Sequence, residues 1–173
     1  MRRRTAVIGL AAIALGAIGW YAFRPERLFI NKTVNESFAA SAPTLAMSAG
    51  TEGASAAPRA IASGRFHSNA HETKGQATIY RLSDGKQVLR LTGFETSNGP
   101  DVHVYLVAAG DVNDNATVKR AGFIELGALK GNRGDQNYDV PAGVDLTKYR
   151  TVTIWCRRFG VNFGSAPLAE GQS

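Results

Sequence analysis

GQATIYRLSDGKQVLRLT, residues 75–92, is the stretch on which the fold turns. Residues 75–82 and 87–92 are short runs rich in β-branched, aromatic and aliphatic side chains, the composition of strands that bury one face. Between them stands Asp84-Gly85, a dipeptide suited to the positive-φ positions of a tight turn. The two runs are therefore expected to pair as a β-hairpin.

The same texture continues outward. Residues 101–107 (DVHVYLV) follow Asn98-Gly99-Pro100, a turn that excludes a preceding helix. Further candidate strands are 122–126, 136–140, 151–156 and 161–164. With no convincing amphipathic helix among them, about seven to eight short, mainly antiparallel strands imply an all-β fold, either a β-sandwich or a compact barrel.

Toward the N-terminus the pattern stops. Residues 39–63 are nearly all Ala, Ser, Gly, Thr or Pro, interrupted by Leu45, Met47, Glu52, Arg59 and Ile61. Such a stretch has too little apolar surface to offset its ordering entropy and reads as a flexible stalk, with a reach of about 25 to 30 Å. Residues 24–38 are mixed in character. Residues 5–23 (TAVIGLAAIALGAIGWYAF) hold no charge and are bracketed by Arg2, Arg3 and Arg4 before and by Arg24 and Arg27 after. As a helix they would rise about 28 Å, enough for a bilayer's hydrocarbon layer. The arginines favour a cytoplasmic N-terminus, and Trp20 and Tyr21 suit an interfacial belt. A single transmembrane helix is thus expected ahead of the β domain. The rival reading is a signal peptide cleaved near Ala17-Ile18-Gly19. Either way the domain is exported, to the periplasm or the cell surface. The expected organisation is 1–23 anchor, 24–63 juxtamembrane segment and stalk, 64–168 β domain and 169–173 tail.

The formal charge of +6 owes three of its units to Arg2, Arg3 and Arg4, leaving +3 for the rest. Elsewhere Lys and Arg interleave with Asp and Glu, so no basic stripe for nucleic acid is present.

Several blocks resemble the DM13 domain family: Gly64-Arg65-Phe66, His71, residues 99–106 (GPDVHVYL), residues 126–138 (LGALKGNRGDQNY) and Ile154-Trp155-Cys156. The resemblance runs from Gly64 to about Leu168. It implies an extracytoplasmic β domain serving electron transfer or oxidative modification of surface proteins. It further implies a cysteine acting as a bare thiol or holding a group such as haem. A redox partner or surface protein is the implied partner, and a conventional enzyme is not.

Cys156 is the single cysteine, so an exported chain must leave it free, buried, paired with another molecule or ligated. Arg157 and Arg158 would favour thiolate if they stood beside the sulfur. The alternation of residues 151–156 instead groups Cys156 with Val152 and Ile154 on an apolar face, where a core thiol is expected. Both readings stay open. The histidines His67, His71 and His103 are the other candidate ligands, with His71 and His103 in the family-like blocks. On its strand His103 shares a face with Tyr105 and Val107, which suits a partly exposed ring.

Other chemistries lack their residues. Blue copper needs two His and a Cys, usually with a weak axial ligand, and the methionines are Met1 and Met47 alone. Covalent c-type haem needs a second cysteine, and a structural zinc site needs four convergent ligands. No nucleophile elbow or phosphate loop occurs. Asp135 and Asp139 around Tyr138 read as solvated or capping carboxylates. The glycines and asparagines of residues 127–138 suit a long ordered loop that either defines the fold or presents Arg133 to a partner. Asn31, Asn35 and Asn115 begin glycosylation sequons. Two functions survive: a redox module in which Cys156, alone or with His71 or His103, carries a thiol, haem or metal, and a non-catalytic surface-binding module.

Overall fold

A computed structural model describes residues 9, 12–19, 21, 30–38 and 57–171. The chain divides into two units, Met1–Ile30 and Asn31–Ser173. In the first, residues 12–19 are helical and exposed. Among the described residues no helix is long and apolar enough to cross a membrane, so the expected transmembrane helix ahead of the β domain is not upheld.

The described residues of the second unit contain ten strands, where seven to eight were expected: β1 (Arg59–Arg65), β2 (His67–Ser68), β3 (Lys74–Arg81), β4 (Gln87–Glu95), β5 (Val102–Val107), β6 (Phe123–Ala128), β7 (Arg133–Val140), β8 (Thr151–Cys156), β9 (Val161–Pro167) and β10 (Ala169–Glu170). They form two five-stranded antiparallel sheets, ordered β10-β1-β3-β4-β7 and β2-β9-β8-β5-β6. The quoted stretch supplies β3 and β4, paired from Arg81↔Gln87 to Lys74↔Glu95. The added strands have simple causes. Two residues, as in β2 and β10, are too few to show a period. β1 begins at Arg59, inside the segment read as stalk, because its small side chains conceal a strand held by pairing with β3. The family-like string is likewise no loop beyond Asn132, since β7 starts at Arg133.

The sheets face one another across a shared core. Ala77, Ile79, Leu89 and Leu91 of the first sheet and Val104, Leu106, Val152, Ile154 and Ala166 of the second are all fully buried there. The alternation of each strand sends every second side chain into this layer.

One helix interrupts the β order, α1 (Asn115–Ala121), where no amphipathic helix was expected. Asp114 caps it, its carboxylate accepting from the Thr117 N–H at 2.6 Å, and Lys119 and Arg120 occupy the last turn. Its single buried side chain is Val118, too little apolar content for a periodic signal.

Candidate functional site

β5 and β8 are neighbours in the middle of the second sheet, with His103 opposite Trp155 and Val102 opposite Cys156. Alternation gives the pair two faces. Val102, Val104, Leu106, Val152, Ile154 and Cys156 enter the inter-sheet core. His103, Tyr105, Val107, Thr151, Thr153 and Trp155 point the other way, to what would ordinarily be the solvent side. Yet all six residues of each strand are buried.

The cover is α1 and the segment before it. Val112 and Val118 pack with Tyr105, Val107 and Trp155 in a second apolar cluster. Polar side chains tie the cover down. Thr151 Oγ1 donates to the Ala109 carbonyl at 2.9 Å, while Asn69 and Asn162 donate to the Val112 carbonyl at 3.0 and 3.2 Å. The Asn162 N–H donates to Asn115 Oδ1 at 2.7 Å, engaging one sequon asparagine in the fold.

At one end of this face four ionisable side chains converge. His103 Nε2 lies 2.7 Å from Asp101 Oδ1. Its Nδ1 lies 2.7 Å from Glu125 Oε1 but is not aligned for a hydrogen bond. Arg157 closes the ring, with Nε 3.1 Å from Asp101 Oδ2 and a terminal nitrogen 3.7 Å from Glu125 Oε2. The hydrogen bond from His103, joined by that from Arg157, holds the Asp101 carboxyl below its ordinary range. Asp101 in turn holds the Arg157 guanidinium above its own.

Tyr105 links this charged cluster to the aromatic cover. Its ring stacks on Phe123 with centroids 4.2 Å apart and planes within 4°, and Trp155 lies 6.4 Å away, also stacked. Tyr105 is 1% exposed and Phe123 45%, so a buried phenol has an exposed aromatic neighbour. Burial pushes the Tyr105 phenol above its ordinary value, and the Glu125 carboxylate beside its hydroxyl adds to the shift.

Cys156 and His103, both singled out in the sequence, do not converge. Cys156 is a free thiol, fully buried in the inter-sheet core. His103 is 6% exposed on the opposite face of the same sheet, a correction to the partly exposed ring expected. The ring of His71 packs on Phe163 at 3.9 Å, and His67 pairs with Asp111 at 2.9 Å. Among the described residues no group of three or more His, Cys, Asp or Glu side chains could hold a metal ion. With Cys156 and His103 on opposite faces of the sheet, one haem or metal cannot take both. Sequence reading missed Glu125, gave Tyr105 no role, and offered Arg157 to the Cys156 thiol, whereas its guanidinium pairs with Asp101 and Glu125. The signal available was His103 and Tyr105 on one face of a strand, but nothing in spacing announced that the face would be covered.

Residues 65–168 match the profile of a family described as Electron transfer DM13. No curated protein and no solved structure matches the chain.

Proposed function

The chain belongs to the Electron transfer DM13 family, and on that premise we propose that its β domain relays single electrons through Tyr105 and Trp155. The observation that carries this reading is the stacking of buried Tyr105 on exposed Phe123 with a carboxylate beside the phenol. A one-electron oxidant, a redox partner docking at Phe123, takes an electron from Tyr105, and the phenolic proton passes to Glu125. A one-electron donor returns the electron, directly or through Trp155, and the proton returns from Glu125. Nothing is consumed; His103 and Arg157 position the Glu125 carboxylate, the guanidinium offsetting its charge, and Asp101 holds both of them in place.

Flash oxidation by a photo-excited metal complex tests the reading. The transient absorbance of the tyrosyl radical is expected in the unmodified protein, to be mostly lost in Tyr105→Phe and to form more slowly in Glu125→Gln. Equal radical yield in the unmodified protein and Tyr105→Phe would refute it.

A second reading retains Cys156 as the redox group. It is supported by the position of this free thiol at the end of β8, directly before the turn at Arg157 that returns to β9. Because an apolar-buried thiol is inert, this reading requires the β8–β9 hairpin to open. Thiol labelling in native buffer at a rate well above that of global unfolding supports it, and labelling only on unfolding removes it. Export of the domain belongs to both readings, since three arginines ahead of an uncharged apolar run form an export signal. A C-terminal reporter that matures only outside the cytoplasm tests this.

A further inference from the structure

Residues 131–138 of the family-like string have no part in the redox face. From Arg133 they lie along β7, the edge strand of the first sheet, whose outer hydrogen-bonding groups no strand of that sheet takes. Residues 31–38 fill that edge. The Val34 N–H donates to the Arg133 carbonyl at 2.9 Å, the Arg133 N–H to the Lys32 carbonyl at 3.2 Å, and the Glu36 N–H to the Asp135 carbonyl at 2.9 Å. Thr33 and Arg133 form a parallel bridge.

The string is shaped for this contact. A Cβ on Gly131 would run into the Lys32 carbonyl, and one on Gly134, whose φ is +96°, into the Val34 carbonyl. Asn132 Oδ1 accepts from the Lys32 N–H at 2.7 Å. The Glu36 carboxylate accepts from Lys130 Nζ and from the Asn137 N–H, each at 2.7 Å, while Arg90 donates to the Glu36 carbonyl at 3.1 Å. Phe38 packs on Tyr80 at 4.6 Å. Val34, Glu36 and Phe38 are half-buried and the residues between them exposed, the period of a strand seated by one face.

Two observations separate the groove from its occupant. None of residues 31–38 belongs to the core cluster. The groove is held from within, by Gln136 Nε2 donating to the Gly131 carbonyl at 2.7 Å, Tyr138 Oη to Gln136 Oε1 at 2.8 Å and Asn132 Nδ2 to the Thr96 carbonyl at 3.0 Å. Moreover, the groove lies inside the family-matched span of residues 65–168 and the occupant outside it. We propose that the β7 edge is a peptide-binding groove, filled here in cis, that accepts an extended peptide with a carboxylate for Lys130 and an aromatic residue two positions later for Tyr80. Recognition is by strand addition, with main-chain bonds giving affinity and alternate side chains giving specificity.

The test uses the full chain carrying Glu36→Lys and Phe38→Ala, which weaken the resident segment. A fluorescent peptide of residues 30–39 is titrated by anisotropy. Saturable binding is expected, about tenfold or more tighter than to the unmodified chain, where the tethered segment competes at high effective concentration. Adding Gly134→Val should abolish it, and a peptide with lysine in place of its glutamate should not bind. A second arm places a protease site after Met47 and cuts the folded chain, whereupon the released segment should exchange for labelled peptide. Absence of binding by a double variant with unchanged circular dichroism and thermal midpoint overturns the proposal. So does unfolding of both the double variant and the cut chain, which would make the segment an integral strand.

Discussion

The two faces of β5 and β8 divide twelve residues evenly between them and do opposite things. The inner face, with Val102, Val104, Leu106, Val152, Ile154 and Cys156, is apolar and meets another sheet. The outer face is as deeply buried, yet it mixes Thr151, Thr153, His103 and Tyr105 with Trp155, under a lid of one short helix. Burial of polar groups costs free energy unless each is partnered. Thr151, Thr153 and His103 Nε2 are partnered, while His103 Nδ1 is buried without a hydrogen bond, an expense that a pure scaffold would avoid. What the contrast teaches is that the residue nearest to hand, Cys156, lies on the face that resembles an ordinary core, while the groups with unusual surroundings lie behind it.

The largest effect should come from breaking the inner face. Ile154→Ala removes a fully buried side chain between the sheets and is expected to cost about 2 to 5 kcal/mol of stability by denaturant unfolding, with the Tyr105 radical yield unchanged in the folded fraction. If the radical yield fell with stability intact, the two faces would not be separable. Next in size is Cys156→Ser. The new hydroxyl replaces a thiol among apolar neighbours and should cost about 1 to 3 kcal/mol, more than Cys156→Ala, which leaves only a small void. The reverse order would mean that a partner near Cys156 accepts a hydrogen bond and that the face is less apolar than its residues suggest.

The inner face was also the more legible. Residues 75–92 announced a hairpin because the strands are long and joined by Asp-Gly, and Cys156 fell with Val152 and Ile154 by simple alternation. The outer face was not legible, because its burial depends on a segment brought from residues 109–121 by hydrogen bonds to Asn69, Asn162 and Thr151, contacts 42 to 50 positions apart. The edge of β7 failed for a related reason. Residues 127–138 read as a long ordered loop, with a strand expected only from 136, because glycine and asparagine were taken for their φ preferences, whereas Gly131 and Gly134 also leave room for a neighbouring backbone. Residues 39–56, read as stalk, lie outside the described residues.

A third prediction concerns pH. In the folded state Asp101 is held below its ordinary carboxyl range, chiefly by the hydrogen bond from His103. A carboxylate so depressed contributes stability that is complete above the unfolded value of about 3.9 and disappears as pH falls through the lower folded value. His103→Ala removes the main cause, so the loss of stability on acidification below about pH 4 should become shallower in the variant than in the unmodified protein. Thermal midpoints measured between neutral pH and acid provide the comparison. Parallel curves would mean that Arg157 alone keeps Asp101 ionised and that His103 is held for shape.

The smallest effect on stability, and the sharpest separation of the two faces, is expected from Arg157→Gln. The Arg157 side chain is 55% exposed, and its contacts to Asp101 and Glu125 are surface ion pairs, which contribute little to stability and fade with salt. As structure, then, Arg157 matters little. Its charge nevertheless pulls the Tyr105 phenol down against the burial and the carboxylates that push it up. Removing that charge should move the alkaline titration of Tyr105, followed by ultraviolet difference absorbance against Tyr105→Phe, to still higher pH while the denaturation midpoint barely shifts. The same change should make proton loss from Tyr105 harder and so slow the appearance of its radical. If Arg157→Gln instead destabilised the fold strongly and left the phenol titration in place, the charged cluster would be a brace for β5 and β6, and Tyr105 would be a buried aromatic with no special claim on electrons.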